Sequence, residues 1–286
     1  MKSNNSSLIF EGVVVLYNPD DSVVDNIETY LNNLRQLYVI DNSPSPNEGI
    51  LDILRSNERI VLISNKNEGG IARALNIAAD LALKAKAHWL LTMDQDSKFE
   101  KEGLDTLIKY VSDLTNESVS IVSPFHQTLP KQLPKNELPQ DIIAVMTSGN
   151  LLNLRSYKII GEFKEDFKID YVDIEYCLRS SKLGYKIIRH NGVLLKHHLG
   201  NKRSHSLNID VTHHNYIRRY YITKNSLTVI RDYFFNNFLY CIVILRFRIS
   251  DTFKIIFFER DKMRKMKSIY YGLSDFIFGR EARSLL

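Results

Sequence analysis

The sequence has few of the features that mark disulfide-stapled, zinc-binding or membrane-spanning proteins. It contains two cysteines, Cys177 and Cys241, and no CxxC pair, which argues against a disulfide framework and a cysteine zinc site. Its first residues lack a signal peptide's long apolar core and cleavage site. The apolar run 238–245 is closed by Arg246 and Arg248, far short of the roughly 20 residues that span a bilayer. We therefore expect a cytoplasmic protein, soluble or peripheral on the inner face of the cell membrane.

Charge is distributed unevenly along the chain. The 286 residues carry a net charge of +5. Residues 246–267 alone hold eight Lys or Arg against three Asp or Glu, which also gives +5. A basic segment mixed with Phe, Ile and Tyr suits an anionic membrane surface. A solvated helix face explains the same pattern equally well, so the composition leaves both interpretations open.

Strand and helix patterns alternate through the first third of the chain. Apolar runs at residues 8–17, 36–42, 59–65 and 88–93 predict strands. Helical patterns lie between them at residues 23–34, shortly after residue 47, and at 69–85, where Ile71, Leu75, Ala78 and Ala82 are spaced by four, three and four. This order predicts a parallel sheet with right-handed crossovers.

The pattern changes after Pro124. Residues 129–140 are rich in Pro, Lys and Gln and predict an exposed loop, and residues 141–154 predict a strand that leads into a turn at 148–150. A short helix and extended segments follow, and from residue 212 onward the chain is helical, aromatic-rich and free of proline. We predict a first domain over residues 1–211 and a helical, basic and aromatic C-terminal subdomain over 212–286.

Polar residues follow three of the predicted strands, at Tyr17-Asn18-Pro19, Asp41-Asn42-Ser43 and Asp94-Gln95-Asp96. Parallel sheets bind ligands beyond the carboxyl ends of their strands, so these residues converge on one crevice. Asp94 and Asp96 could cap a helix starting near Glu100 or simply solvate a turn. Placed at this edge, they instead suit Mg²⁺, which takes one or two carboxylates together with substrate phosphates. That interpretation predicts a nucleoside-diphosphate site.

Further candidates lie in the middle of the chain. The glycine pair at 69–70 fits neither GxxxxGKS nor GxGxxG, which argues against a P-loop or a dinucleotide fold. On a helix, Asp173 points about 200° away from Glu175, and Arg179 four residues on explains Glu175 as a salt bridge. Asp173 is then free to act as a general base or as a helix cap. His197 and His198 follow a strand, where either fills space or supplies a third ligand to Mn²⁺ or Mg²⁺.

Several motifs in order resemble a known family. They are VVVLYNP, VIDNS, NEGGIARALNIA, LLTMDQDS, TSGNLL, DYVDIEYCLR and KHHLG. Together they look like the inverting family-2 glycosyltransferases, and more narrowly their bacterial rhamnosyltransferase branch, which the stretches 213–226 and 272–280 also resemble. The resemblance covers nearly the whole chain and implies an α/β GT-A fold: a Rossmann-like, mostly parallel sheet flanked by helices, with a helical C-terminal region.

The resemblance also implies roles for individual residues. Asp41 would bind the pyrimidine base, Asp94 the ribose or a metal-bound water, Asp96 and His197 the metal, and Asp173 would be the catalytic base. His198 is an alternative metal ligand, and Val172 departs from the acidic residue that often precedes the family's base. The remaining candidates are nucleotide contacts at Leu16, Tyr17, Asn18, Asn67 and Arg73 (the last alternatively a solvated surface residue), and sugar contacts at Ser148, Gly149 and Asn150.

By this resemblance the reaction is a Mg²⁺- or Mn²⁺-dependent single displacement. Rhamnose would pass from dTDP-β-L-rhamnose to a lipid-linked, cell-surface polysaccharide acceptor, with the membrane surface and a second copy of the chain as further partners. A UDP-hexose donor is an alternative, and a non-catalytic membrane scaffold is another. A nucleotidyltransferase would need a basic glycine-rich loop near the N-terminus, which residues 16–22 do not provide. Nucleic acid is not expected, because the crevice is acid-lined.

Overall fold

The computed structural model describes residues 8–100, 102–115, 118–129, 132–197, 203–204, 210–211 and 214–281. Its strands are β1 (Phe10–Leu16), β2 (Leu37–Asp41), β3 (Ile60–Ser64), β4 (Trp89–Asp94), β5 (Ser97–Phe99), β6 (Val119–Gln127), β7 (Pro139–Ile142), β8 (Asn150–Asn153), β9 (Lys186–His197), β10 (Arg203–Ser204) and β11 (Asp210–Val211). Its helices are α1 (Ser22–Leu31), α2 (Glu48–Arg55), α3 (Gly70–Lys84), α4 (Gly103–Ser112), α5 (Leu154–Ile160), α6 (Val172–Lys182), α7 (Tyr216–Tyr233), α8 (Phe238–Phe258) and α9 (Lys262–Ile277).

The central sheet has the order β3-β2-β1-β4-β8-β6-β9-β5, and β7 pairs with β9. The first four strands are parallel to one another, which confirms the alternation predicted from the sequence. β8 is antiparallel to β4 and β6, and β9 is antiparallel to β5 and β7. The fold is therefore α/β with a mixed sheet, whose parallel part brings four strand ends to one edge.

Apolar side chains fill both faces of the sheet. Along β1, Val13 and Val15 belong to the core cluster that includes α3, whereas Val14 and Leu16 belong to the cluster on the other face, with α1 and α2. Every residue of β1 is buried, because both of its faces are covered. A strand of this kind appears in a sequence as a continuous apolar run.

Two local expectations are wrong. The helix predicted near Glu100 begins only at Gly103, because Ser97–Phe99 forms β5 and pairs with Leu195–His197 of β9. The loop predicted over residues 129–140 ends early, because β7 begins at Pro139 on β9. Proline is tolerated as the first residue of an edge strand, where no ladder hydrogen bond needs its nitrogen.

The C-terminal region is helical, as predicted. Its first helix, α7, packs against the segment that precedes α6, where the Nδ2 atom of Asn225 donates to the carbonyls of Phe167, Ile169 and Asp170 at 2.9, 3.0 and 3.0 Å. The hydroxyl of Tyr233 donates to Glu175 of α6 at 2.7 Å. Within the described residues, no helix combines the length and apolar character needed to cross a membrane. The division of the chain at residue 212 stays a prediction.

Candidate active site

The site begins where β1, β2 and β4 end. Leu16 is the register partner of Asp41 on β2, and Val15 is the partner of Asp94 on β4. Both carboxylates therefore leave the sheet at the same edge, on either side of the end of β1. The carboxyl ends of neighbouring parallel strands always lie at the same edge of a sheet. The observed register therefore confirms the prediction that the polar residues after these strands lie close together.

Gln95, between the two aspartates, connects this turn to the end of β1. Its Oε1 accepts from the Tyr17 N–H at 2.7 Å, and its Nε2 donates to the Tyr17 carbonyl at 3.2 Å. The main-chain carbonyl of Gln95 accepts from Nδ2 of Asn26 at 2.9 Å. These bonds hold the turn, while the side chain of Tyr17 stays 51% exposed. Gln95 is thus a site residue that no sequence pattern revealed.

Asp41 organises the loop after β2. It is only 3% exposed, and its Oδ1 accepts from the Ser43 N–H at 2.9 Å. The hydroxyl of Ser43 in turn accepts from the Asn18 N–H at 2.7 Å, with Asn18 in the left-handed region at φ 46°. The predicted base-binding group Leu16, Tyr17, Asn18 and Asp41 is thus one connected unit. Its contact with a base stays a prediction.

Asp94, Asp96 and His197 offer ligand atoms that all lie within 4.8 Å of one another. The register between β5 and β9 creates this cluster, because Ser97 is opposite His197. The Nδ1 atom of His197 lies 3.5 Å from Oδ1 of Asp96 and 2.5 Å from Oγ of Ser97. Oδ1 of Asp96 is buried and has no hydrogen-bond partner among the described residues.

This donor set fits a divalent cation. Two carboxylates and an imidazole suit Mg²⁺ or Mn²⁺, and a buried carboxylate oxygen without a hydrogen bond is costly unless something binds it. Burial and, to a smaller extent, the charge of Asp96 raise the pKa of Asp94 to about 7, against the opposing charge of Arg218. A cation at this position would remove the repulsion between the carboxylates. His198, the alternative ligand, lies outside the described residues.

The end of β4, which carries Asp94, is hydrogen-bonded to the turn that contains Ser148, Gly149 and Asn150. All three are buried, and the hydroxyl of Ser148 accepts from the Asp94 N–H at 3.1 Å. The Gly149 N–H donates to the Thr92 carbonyl at 2.7 Å. Their predicted contact with a sugar stays a prediction, but these bonds give them a structural role in holding the end of β4.

His126 is a neighbour of this cluster that the sequence did not reveal. Its Nε2–H donates to the Ser148 carbonyl at 2.6 Å, and its ring centroid lies 6.5 Å from that of His197, edge to face. Burial lowers the pKa of His126 to about 4, so the ring is neutral at physiological pH. It therefore packs against His197 without adding positive charge.

Asp173 lies in the first turn of α6, on the other side of the crevice. Asp170 and Tyr171 adopt positive φ of 61° and 67° just before the helix begins. Asp173 is partly buried. Burial, together with the charges of Asp94 and Asp170, raises its pKa to about 6, against the lowering effect of the hydrogen bond from the Ile174 N–H. A carboxylate whose pKa is moved toward neutrality can take up a proton, as a general base must.

Glu175, two residues further along α6, points elsewhere, as predicted. It is fully buried and is bound by Arg179 at 3.0 Å, by Lys164 at 3.1 Å and by the Tyr233 hydroxyl at 2.7 Å. This network fixes α6 from inside the protein. The opposite directions of Glu175 and Asp173 follow from the 100° turn between successive helical residues.

Arg218 on α7 is a charged residue at the site that sequence reasoning missed. Its Nε and Nη2 bind the two carboxylate oxygens of Asp170, each at 2.9 Å. Its charge also lowers the pKa of Asp94, which places a cation beside the acidic cluster. The ion pair occupies Asp170 and makes it a poorer alternative to Asp173 as the base.

Asn67 and Arg73 lie on the segment that enters α3. Asn67 has φ 57°, and the guanidinium of Arg73 lies 3.1 Å from the Glu68 carboxylate, with its side chain 43% exposed. Their predicted contact with a nucleotide stays a prediction. The turn itself is set by Gly70, at φ 63°, where a Cβ atom would clash with the Lys168 carbonyl oxygen.

A family model described as glycosyl transferase family 2 matches residues 13–190. The matched range begins at Val13 within β1, contains β2 to β8 and ends after the first five residues of β9, and it includes every site candidate except His197 and its alternative His198. Among curated proteins, the chain is 27% identical to a protein named dTDP-rhamnosyl transferase RfbF from Shigella flexneri, over 93% of this chain and 95% of that protein.

Solved glycosyltransferase structures share the fold at low sequence identity. The S. aureus TarS fragment 1–349 matches with a TM-score of 0.54 and 13% identity, covering 95% of this chain and 72% of that one. GalNAc-T7, in a structure described as containing UDP, GalNAc and Mn²⁺, matches with a TM-score of 0.56 and 14% identity over 70% of this chain. The present chain spans 46% of the length of that structure. These similarities establish the GT-A fold.

Proposed function

The chain belongs to glycosyl transferase family 2 and is a glycosyltransferase, and on this premise we propose that it transfers L-rhamnose from dTDP-β-L-rhamnose to a hydroxyl of a saccharide acceptor. The name of the Shigella flexneri relative supports the donor, because the two proteins are similar over nearly their whole lengths. The observation that carries the proposal is the grouping of Asp94, Asp96 and His197 at the strand edge. Asp173 lies close enough for the charge of Asp94 to raise its pKa.

Asp96 and His197 would hold Mg²⁺ or Mn²⁺, with Asp94 beside them. A bound divalent cation neutralises negative charge that develops on a departing diphosphate. The protein's own contribution is to fix these ligands before substrate arrives. β5 pairs with β9, the Asp94 N–H donates to Ser148, and Gln95 ties the turn to Tyr17. Arg218 adds a positive charge next to Asp94, where the diphosphate would lie.

The nucleotide would extend from this cluster along the strand ends to Asp41. The loop containing Asn18 and Ser43 is held by hydrogen bonds between its main chain and side chains, which suits recognition of a flat base. Asn67 and Arg73 would contact the nucleotide from the entry to α3. To do so, Arg73 would break its exposed ion pair with Glu68. Breaking this pair would cost little free energy, because ion pairs at the surface contribute little to stability.

Asp173 would act as the general base in a single displacement. Its carboxylate takes the proton of the acceptor hydroxyl while that oxygen forms a bond to the anomeric carbon. The bond from this carbon to the nucleotide's terminal phosphate oxygen breaks at the same time, and its electron pair leaves with dTDP. Attack opposite the leaving group inverts the anomeric centre, so a β-linked donor gives an α-L-rhamnoside. Ser148, Gly149 and Asn150 are the candidate neighbours of the sugar.

The acceptor is proposed to be a growing cell-surface polysaccharide on a lipid carrier. The basic and aromatic C-terminal helices support this choice, since such an acceptor is presented at a membrane.

Release of nucleoside diphosphate from a panel of donors tests the reaction. We expect the purified full chain, with Mn²⁺ or Mg²⁺, to release dTDP from dTDP-β-L-rhamnose, and Asp96→Ala and Asp173→Asn to lose nearly all sugar transfer. Turnover of UDP-glucose or UDP-galactose without turnover of dTDP-rhamnose would overturn the donor assignment. Absence of transfer from every donor, together with unimpaired biological function of both variants, would instead favour the alternative of a non-catalytic scaffold.

A further inference from the structure

The outer surface of α8 is apolar and exposed along the whole helix. Only Cys241, Ile244 and Ile255 of its 21 residues are buried hydrophobic contacts to the rest of the chain. On the opposite side, residues spaced by seven, three, four and four share one face. We call these residues the outer face of α8; they are Leu239, Arg246, Ile249, Phe253 and Phe257. The four apolar members are 78%, 51%, 58% and 63% exposed.

The exposed apolar surface of α8 is larger than the single, scattered apolar residues found on most protein surfaces. The 21-residue helix is about 30 Å long, and Phe253 and Phe257 stack on each other in the open, with ring planes 5° apart. α9 adds Met263, Tyr270 and Ile277, which are 84%, 64% and 62% exposed. Large exposed apolar side chains that repeat along one face of a helix mark an interaction site.

Two of the three acids of residues 246–267 are shielded from solvent, whereas five of the eight basic residues are exposed. Glu259 is 3% exposed and binds Arg219 at 2.5 Å and Lys265 at 2.7 Å. Asp251 binds Arg219 at 3.4 Å and Arg248 at 3.0 Å. The exposed basic residues are Arg246, Arg260, Lys262, Arg264 and Lys267, against the single exposed acid Asp261 in the same segment. The exposed charges of residues 246–267 therefore amount to +4, so most of the segment's net charge of +5 faces outward.

We infer that the outer face of α8, with the basic residues 260–267, docks onto the surface of an anionic lipid bilayer. Apolar and aromatic side chains enter the boundary between headgroups and acyl chains, and Lys and Arg beside them attract anionic headgroups. Arg246, within the apolar face, reaches the headgroup phosphates by extending its aliphatic stem. The helix lies along the surface because it carries Arg246, Arg248, Asp251 and Lys254 near its middle.

A second copy of the chain fits this face less well. In a two-fold contact the same surface meets itself, so two Arg246 guanidinium groups would be buried together with no acid of the face to pair them. The exposed basic residues beside the face would also repel their counterparts. A bilayer with anionic headgroups satisfies both the apolar and the charged components.

Docking through α8 would leave α7 in contact with the active site. On α7, Arg219 binds the acids of the C-terminal network, while the adjacent Arg218 binds Asp170 beside the crevice. An enzyme held in this way would receive its acceptor from the lipid surface. That use rests on the proposed function, whereas the docking itself requires neither nucleotide nor turnover.

Vesicle flotation with the full chain tests the docking. We expect the protein to float with vesicles of phosphatidylcholine mixed with phosphatidylglycerol, and much less with phosphatidylcholine alone. The variant Ile249→Gln/Phe253→Gln/Phe257→Gln should lose most of this binding, since glutamine preserves helix propensity. The variant Arg260→Gln/Arg264→Gln/Lys267→Gln should lose about fivefold in affinity for each charge removed. Matched controls are Ile53→Gln/Ile159→Gln/Leu183→Gln and Lys84→Gln/Lys109→Gln/Lys158→Gln, which lie outside the C-terminal helices.

Two outcomes would overturn the inference. One is equal vesicle binding by the α8 variant and its matched control; the other is a wild-type dimer in solution that the α8 variant converts to a monomer. Circular dichroism and dTDP binding confirm that each variant is folded. If vesicle binding fails while dTDP-rhamnose is consumed, the docking is wrong and the proposed reaction stands. If the protein binds vesicles but turns over no donor, the docking stands and the proposed reaction is wrong.

Discussion

The Nδ1 atom of His197 lies 3.5 Å from Oδ1 of Asp96, although the two residues belong to opposite halves of the chain. The antiparallel pairing of β5 with β9 produces this contact, because Ser97 and His197 are register partners. The distance leaves room for an ion between the two groups to replace their direct interaction.

His197→Ala should weaken the binding of Mn²⁺ in the presence of dTDP by at least about 10–100-fold, the loss found when a residue that only orients a metal ligand is removed. Isothermal titration calorimetry measures this directly. His88→Ala is the matched control, because His88 is exposed and its Nδ1 only accepts from the Ile9 N–H. Equal Mn²⁺ affinity in the wild type and His197→Ala would remove His197 from the ligand set.

Asp173→Asn should lower kcat for sugar transfer by about 10²–10⁴-fold, the contribution of a positioned general base, and leave dTDP binding nearly unchanged. Asp166→Asn is the control, because Asp166 is exposed in the 3-10 turn before α6. Substantial transfer by Asp173→Asn would move the role to Asp170, whose carboxylate is already held by Arg218.

The same variant has a stability signature. The pKa of Asp173 is raised in the folded protein, so the folded state favours the protonated form and loses stability as pH rises through about 6. Asparagine carries no charge to bury. Asp173→Asn should therefore be at least as stable as the wild type at pH 8 in thermal unfolding, with this relative gain disappearing toward pH 4. A clear loss of stability at pH 8 would point to a structural role for the carboxylate.

The pH dependence of transfer should report Asp173 as well. Burial and the neighbouring charges of Asp94 and Asp170 raise its pKa to about 6, so the base is ionised above this value and protonated below it. We expect kcat/KM to fall as pH decreases through about 6 and to level off above it. An acid limb centred near the ordinary aspartate value of about 4 would contradict this environment.

Much of this site could be predicted from local sequence. Buried apolar strands that end in Asp41 and Asp94 are visible as continuous runs followed by acids, and their convergence follows from parallel pairing alone. The helix position of Asp173, facing away from Glu175, needs only the 100° turn per residue. These features depend on short-range order and on one topological rule.

The residues that were missed depend on long-range packing. Arg218 reaches Asp170 only because Asn225 and Tyr233 fix α7 against α6 and the segment before it. His126 approaches His197 because β6 and β9 pair across a register shift. Such contacts join segments far apart in sequence, where no periodic pattern records the partner.

Gly149 is hydrogen-bonded to Thr92 of β4 and lies against the side chains of Pro124 and Leu195. Its φ is 76°, and a Cβ atom there would lie 2.8 Å from both Pro124 Cγ and Leu195 Cδ2. Gly149→Ala should lower the free energy of unfolding by about 1–3 kcal/mol more than Gly184→Ala, the range for overpacking. Gly184 is the matched control, because its φ is 85° but nothing lies within 4 Å. Urea denaturation measures the free energy of unfolding of both variants. Equal losses would mean that Pro124 and Leu195 move to make room for the added methyl group without destabilising the protein.

We propose that one crevice holds a metal, a nucleotide and the catalytic base Asp173 in a fixed order. A crystal soaked with dTDP and Mn²⁺ tests it most directly, through the anomalous signal of the metal. The account predicts Mn²⁺ bound by Asp96 and His197 beside Asp94, the diphosphate on that ion, thymine against the loop of Asp41, and Asp173 facing the vacant sugar position. Mn²⁺ or dTDP bound away from Asp96 and His197 would contradict it.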